Sequence, residues 1–199
     1  VILWQAPSTM NPYLSSGTKD IIAASMTIEP LASFDPTGKV VARLAAEVPS
    51  LENGGIAEDL KSVTWKLQPG LKWSDGSALT AADVVFTANY CMDPKGGCSQ
   101  LAKFEGIEKV EAVDDLTGKV SFTTPRPDPF SAFVGGQSPI LQKAQFEKCI
   151  GEAAPTCTEQ NFSPIGTGPF KVVEFRTNDV ISFAANTEYR DPAKPAFAT

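Results

Sequence analysis

The sequence predicts an α+β fold with several antiparallel hairpins and flanking helices. Three observations carry this. Val63, Trp65 and Leu67 alternate with Thr64, Lys66 and Gln68, the period-2 pattern of a half-buried strand. Turn formers sit between apolar runs at Asp35-Pro36-Thr37-Gly38, at Asp114 to Gly118 and at Thr177-Asn178-Asp179, where hairpins turn. The stretch after Thr80 presents Val84, Val85, Phe86 and Tyr90, which suits a helix packed on a sheet.

In chain order, Val1-Ile2-Leu3-Trp4 reads as a short buried strand leading into the turn-rich Pro7 to Ser16. Thr18 is placed to cap a helix through Ile21 to Met26, with Pro30 helping to end it. Leu31 to Phe34 and Val40 to Leu44 form the first hairpin, and Leu51 to Leu60 a polar loop. Pro69-Gly70 and Ser74-Asp75-Gly76 turn the chain on either side of Leu71-Lys72-Trp73. Thr80 and Asp83 then make a capping-box start, with Asp in place of the usual Glu or Gln. Ile107 to Val113 pairs with Lys119 to Phe122, and Phe170 to Phe175 with Val180 to Phe183. The chain stops at Lys194 to Thr199 as though another strand were about to begin, the mark of a truncated unit.

Composition excludes several functions. The 199 residues are 42% hydrophobic and 20% charged, enough for one good core and too apolar for a solvated tail. No run approaches the roughly 18 apolar residues of a membrane helix. Lys plus Arg number 17 against 23 Asp plus Glu, a net charge of −6. Such a chain has no basic surplus with which to displace counterions from nucleic acid. Histidine is absent, which removes Ser-His-Asp triads, Cys-His dyads and His-bound zinc.

The four cysteines fall into two short-range couples, Cys91/Cys98 and Cys149/Cys157. Neither has the spacing of a redox or zinc motif. Four cysteines allow three connectivities, and sequence alone does not choose among them. Turn-rich loops between the partners favour two local disulfides and an oxidising compartment, against four reduced cysteines buried as small apolar residues. Val at position 1 is compatible with removal of an upstream export segment.

Other motifs reduce to structure. Gly166-Thr167-Gly168-Pro169 lacks a third glycine and precedes a strand, not the helix a dinucleotide site needs. Asp114 and Asp115 suit a hairpin turn, and Glu105, Glu108 and Glu111 a solvated edge. Asn161-Phe162-Ser163 matches a glycosylation acceptor, a pattern common by chance. Trp4, Trp65 and Trp73 can stack on a ligand, with core packing the default. A carboxylate-based hydrolase using Asp75 or Asp115 is the weakest reading, and no enzyme is expected.

One resemblance goes further. Val63-Thr64-Trp65-Lys66-Leu67-Gln68-Pro69-Gly70-Leu71-Lys72-Trp73-Ser74-Asp75-Gly76, running on through Leu79-Thr80-Ala81-Ala82-Asp83-Val84-Val85-Phe86-Thr87, resembles the signature of the family 5 extracytoplasmic solute-binding proteins. These are the peptide/nickel-type substrate-binding components of ABC transporters. Asn11-Pro12-Tyr13 with Glu29-Pro30-Leu31, Pro164 to Phe170, and Asn186 to Tyr189 followed by Lys194-Pro195-Ala196 resemble further family elements in the same order. Members are usually more than twice this length, and the cysteine couples are not general family features.

The resemblance implies a lobe of the periplasmic-binding-protein type II kind with a mixed sheet. Residues 1–199 would be the N-terminal part of lobe I, an incomplete lobe, with the second lobe absent from the chain. It implies capture of oligopeptides outside the cytoplasmic membrane, in the periplasm or lipid-anchored at the cell surface, and delivery to an ABC permease. No cofactor or metal is implied, and the full-length protein would be monomeric. Alternatives on the same fold are a nickel chelate, a sugar or an opine; from another class, a stand-alone extracellular interaction module. By motif alignment the ligand-facing positions are Ser15, Ser16, Asp20, Ser99, Gln137 and Ser138.

Overall fold

The structure, a computed structural model, describes residues 5–177, 179–191, 193 and 195. The strand expected at Val1 to Trp4, the turn residue Asn178, and Lys194 and Ala196 lie outside the described residues. After a 3-10 turn at Pro12–Leu14 comes helix α1 (Thr18–Ala24). Gly17, not Thr18, occupies its N-cap, and the helix stops at Ala24, well before Pro30. The first hairpin is as expected, β1 (Ala32–Phe34) against β2 (Val40–Ala42).

β3 (Ser62–Lys66) buries Val63 and Trp65, with Leu67 continuing the same face. It leads through the two turns into helix α2 (Ala81–Met92). At the α2 start the Asp83 carboxylate accepts the Thr80 backbone N–H at 2.9 Å and the Lys143 N–H at 2.8 Å. One N3 residue thus closes the helix start and pins the later segment that opens helix α3. β4 (Ile107–Asp114) and β5 (Thr117–Phe122) complete a three-stranded antiparallel sheet in the order β3-β5-β4, with α2 packed on β4 and β5. Their turn is tighter than the sequence predicts, because Asp114 pairs with Thr117 directly. Short helices α3 (Lys143–Phe146) and α4 (Thr158–Phe162) follow, flanking a 3-10 stretch at Gly151–Thr156. The last hairpin is β6 (Phe170–Phe175) with β7 (Ile181–Ala185). Among the described residues every ladder is antiparallel; parallel pairing enters through the isolated bridge between Ala32 and Val134.

Trp65 and Trp73 are each 1% exposed, so both serve the core. Burying an aromatic of this size removes ~150–250 Å² from water, roughly 4–6 kcal/mol at most. The same core continues as a run of rings: Tyr90 against Phe146, Tyr13 against Tyr90 and Phe104, and Phe104 edge-on to Phe133 at 5.5 Å.

Three distant segments lock together at the base of the fold. The Gly168 N–H donates to the Thr27 carbonyl at 2.8 Å, and the Asn186 amide donates to the Gly168 carbonyl at 2.8 Å. The segments touch so closely that a Cβ on Gly166 would overlap the Thr27 carbonyl oxygen. Above them the Glu29 carboxylate accepts two hydrogen bonds from Arg190 and one from Thr167. The Glu-Pro-Leu, Gly-Thr-Gly-Pro and Asn-x-x-Tyr elements are therefore one joint. The β6-β7 hairpin beyond it is half-covered: every residue of β7 is partly exposed and Val173 is 65% exposed.

Candidate functional site

Tyr13 is where the predicted ligand-facing segments meet. Asn11 and Pro12 start its 3-10 turn: the Asn11 side chain accepts the Tyr13 N–H at 3.1 Å, and proline needs no partner for a missing N–H. The Tyr13 ring is fully buried, and its hydroxyl donates to the Pro139 carbonyl at 2.6 Å. Its own carbonyl accepts the Ser99 N–H at 2.8 Å. Burial pushes the Tyr13 phenol well above the ordinary phenol range and that of Tyr90 up to about 12. Both phenols stay neutral at any physiological pH, Tyr13 donating to Pro139 and Tyr90 accepting from the Asn11 amide.

Around this hub the chain brings together three stretches: 11–20, 98–100 and 133–139. Ser16, Ser99 and Gln137 are exposed and Ser15 is half-buried. Gln137 stands at the tip of the turn in which the Ser138 N–H donates to the Gly135 carbonyl. The neighbouring Gly136 packs so near Ile21 of α1 that a Cβ there would lie 3.2 Å from the isoleucine side chain. Exposed hydroxyls and a side-chain amide on these three stretches, the rim of the hub, can donate to and accept from a polar, peptide-like solute.

Asp20 and Ser138 lie beneath that rim. Asp20 is 1% exposed, and its oxygens accept the Ser8 N–H at 2.6 Å, the Ser15 hydroxyl at 2.6 Å and Lys19 Nζ at 2.8 Å. Burial opposes its charge, but the hydrogen bonds from Lys19, Ser15 and Ser8 outweigh it and hold the carboxyl below the usual range. Ser138 is fully buried and its Oγ accepts the Phe133 N–H at 2.8 Å. Phe133 has φ +63, a left-handed conformation that a bulky residue adopts only when its surroundings impose it. The two residues shape the rim and have their polar atoms engaged by the protein.

Sequence reasoning missed the buried amides behind the rim. Gln100 Nε2 donates to the carbonyls of Pro12 and Ser15 at 3.2 and 3.1 Å. Asn161, the glycosylation-like position, is 3% exposed; its Oδ1 accepts from Asn11 at 2.9 Å and its amide donates to the Ala154 carbonyl. As folded it offers no free acceptor to a glycan. Gln100 follows directly on the singled-out Ser99, but nothing local in sequence marks its partners. Both cysteine couples are bonded, Cys91 to Cys98 and Cys149 to Cys157.

The Asp75 carboxylate serves a turn, accepting from the Ser77 N–H and hydroxyl and from the Gln142 amide, and the Asp115 backbone carbonyl accepts the Ala81 N–H at the α2 start. No helix among the described residues is long and apolar enough to cross a membrane.

Residues 39–199 match the bacterial extracellular solute-binding proteins, family 5 Middle. The glutathione-binding protein GsiB of Pectobacterium atrosepticum is 32% identical over 176 residues, covering 87% of this chain and 31% of that protein. Haemophilus influenzae OppA, solved with the peptide RPPGFSPFR, superposes with a TM-score of 0.77 at 26% identity over 94% of this chain and 38% of its own. The periplasmic binding protein AgaA from A. tumefaciens R10, solved with agropinic acid, gives a TM-score of 0.81 at 26% identity over 98% of this chain and 37% of its own. The chain spans about a third of the length of the curated relatives it matches.

Proposed function

The chain belongs to the bacterial extracellular solute-binding proteins of family 5, and from this we propose that the polypeptide carrying it captures oligopeptides for an ABC importer. Residues 1–199 form the N-terminal part of lobe I in this reading, and the second lobe belongs to the remaining two thirds of the length seen in relatives. The observation that supports the reading is the convergence on Tyr13 of the three stretches that carry Ser15, Ser16, Ser99 and Gln137. Asp20 and Ser138 fix the backbone beneath them. Backbone hydrogen bonds from such a rim supply affinity for a peptide while leaving its side chains free to vary.

The protein works outside the cytoplasmic membrane, in the periplasm or lipid-anchored at the surface, as its two disulfides favour. It acts as a monomer and a receptor, not an enzyme. Closure of the two lobes around the solute is the event the permease reads. Titration calorimetry on the full-length polypeptide with glutathione, the dipeptide Met-Leu and the nonapeptide RPPGFSPFR tests this directly. Saturable binding of any of them supports the reading, and binding of none refutes it. The likeness to AgaA makes an opine the competing ligand class, so agropinic acid belongs in the same titration; if it alone binds, the peptide assignment falls and the receptor assignment stands.

A further inference from the structure

We infer that the two disulfides and the buried amides Gln100 and Asn161 form a clamp that positions the ligand-facing segment around residues 9–15. Each staple is followed at once by one arm of the clamp. Cys98 closes the loop that begins at Cys91, and two residues later Gln100, 5% exposed, holds the carbonyls of Pro12 and Ser15. Between them the Ser99 N–H holds the Tyr13 carbonyl. Cys157 closes the loop from Cys149, and helix α4, starting at the next residue, carries Asn161. The Asn161 carbonyl accepts the Met10 N–H at 2.8 Å and the Thr9 hydroxyl at 3.1 Å, while its side chain accepts from Asn11.

The two stapled loops also touch one another. Lys95 of the first pairs with Glu152 of the second at 3.5 Å, and the Asp93 carboxylate lies beside Gly151. Segment 9–15 has little regular structure of its own, only a single 3-10 turn. Its polar groups are held by residues about 88 and 150 positions away, through the Pro12 carbonyl and the Asn11 side chain, so its conformation is as well defined as the loops that carry those residues. Closing each loop covalently removes the slack that would otherwise reach Gln100 and Asn161. Gln100 and Asn161 are positioning residues: they set the backbone from which Ser15 and Ser16 project, and pre-ordering it lowers the entropy lost on binding.

The inference rests on the proposal that this rim faces the solute, and its test separates the two. The full-length polypeptide is compared with Gln100→Met, which keeps the side-chain length and removes the amide, and with Cys91→Ser/Cys98→Ser in case the first fails to fold. Amide exchange is followed without ligand at Leu14 and Ser15, whose N–H groups bond to Asn11 and Pro12, and at Val63 and Trp65 in β3. The expected result is exchange faster by about tenfold or more at Leu14 and Ser15 with β3 unchanged. Affinity for whichever of glutathione, Met-Leu or RPPGFSPFR the unmodified protein binds should fall about five- to twentyfold. Unchanged exchange at Leu14 and Ser15, or an equal rise in β3, overturns the clamp. If the unmodified protein binds none of these three probes, the peptide reading fails, and the exchange comparison alone still decides whether Gln100 and its staple hold the segment.

Discussion

Arg190 closes a two-pronged ion pair with Glu29 across 161 residues of sequence, at 2.6 and 2.8 Å. The pair is partly shielded, with side-chain exposures of 23% and 12%. It joins the segment that precedes β1 to the one that follows β7. Planar guanidinium against carboxylate is a geometry lysine does not reproduce. In the full-length polypeptide, Arg190→Met should lower stability by about 1–3 kcal/mol, and Arg190→Lys should restore little of it. A double-mutant cycle with Glu29→Gln in urea checks the claim; a coupling energy near zero would show that the joint holds without the pair.

Asp20 gives the fold a defined acid response. Its carboxyl is held below the usual range in the folded state, so its stabilising contribution is complete above the unfolded-state value near ~3.9 and fades as pH drops toward the folded one. Asp20→Asn should therefore cost about 1–3 kcal/mol at pH 7. The gap to the natural sequence should close at the acid end. Denaturation midpoints from pH 7 down to the acid limit provide the measurement, and a gap that widens on acidification would contradict the assignment.

Ser138→Ala removes the hydroxyl that accepts the buried Phe133 N–H, on a residue already in left-handed conformation. An orphaned buried donor costs about 1–3 kcal/mol. Chemical denaturation should show a lower midpoint with the slope unchanged, since nothing alters the surface exposed on unfolding. A midpoint within error of the natural protein would mean that packing around Phe133, not Ser138, imposes its backbone.

Gly166 and Gly118 make a matched pair of tests. At Gly166 a Cβ would overlap the Thr27 carbonyl and crowd Ile28 at 3.1 Å, whereas at Gly118 the nearest atom is 3.7 Å away on Val84. Gly166→Ala should cost more than about 2 kcal/mol or abolish soluble expression, by the overpacking that dominates severe substitutions. Gly118→Ala should stay within about 0.5 kcal/mol of the natural protein. Equal behaviour of the two, read from thermal melts, would refute the close crossing as the reason for the first glycine.

Much of the scaffold was legible because it is written locally. The alternation through Val63, Trp65 and Leu67 fixed β3, and Thr80 with Asp83 placed the α2 start, since both signals span only a few residues. Thr18 misled because a residue with capping chemistry stood one place after the glycine that starts the helix. Ser15, Ser16, Ser99 and Gln137 are expected at the site on family likeness alone, and periodicity does not mark them. What stayed hidden was Asn11 reaching Tyr90 and Asn161, and Gln100 reaching Pro12 and Ser15. Polar contacts between residues so far apart leave no pattern in a single sequence, because either partner alone is an ordinary asparagine or glutamine.

The spacing of the cysteines also governs how the chain first reaches its fold. Cys91 lies seven residues from Cys98 and Cys149 eight from Cys157. Loops this short close within about 10–100 ns in an unfolded chain. A mismatched pair would have to close a far longer loop and is entropically the poorer encounter. Local proximity therefore favours each thiol's proper partner over the mismatched ones even in the unfolded chain, so oxidation in an oxidising compartment would capture that pairing without a long search among the alternatives.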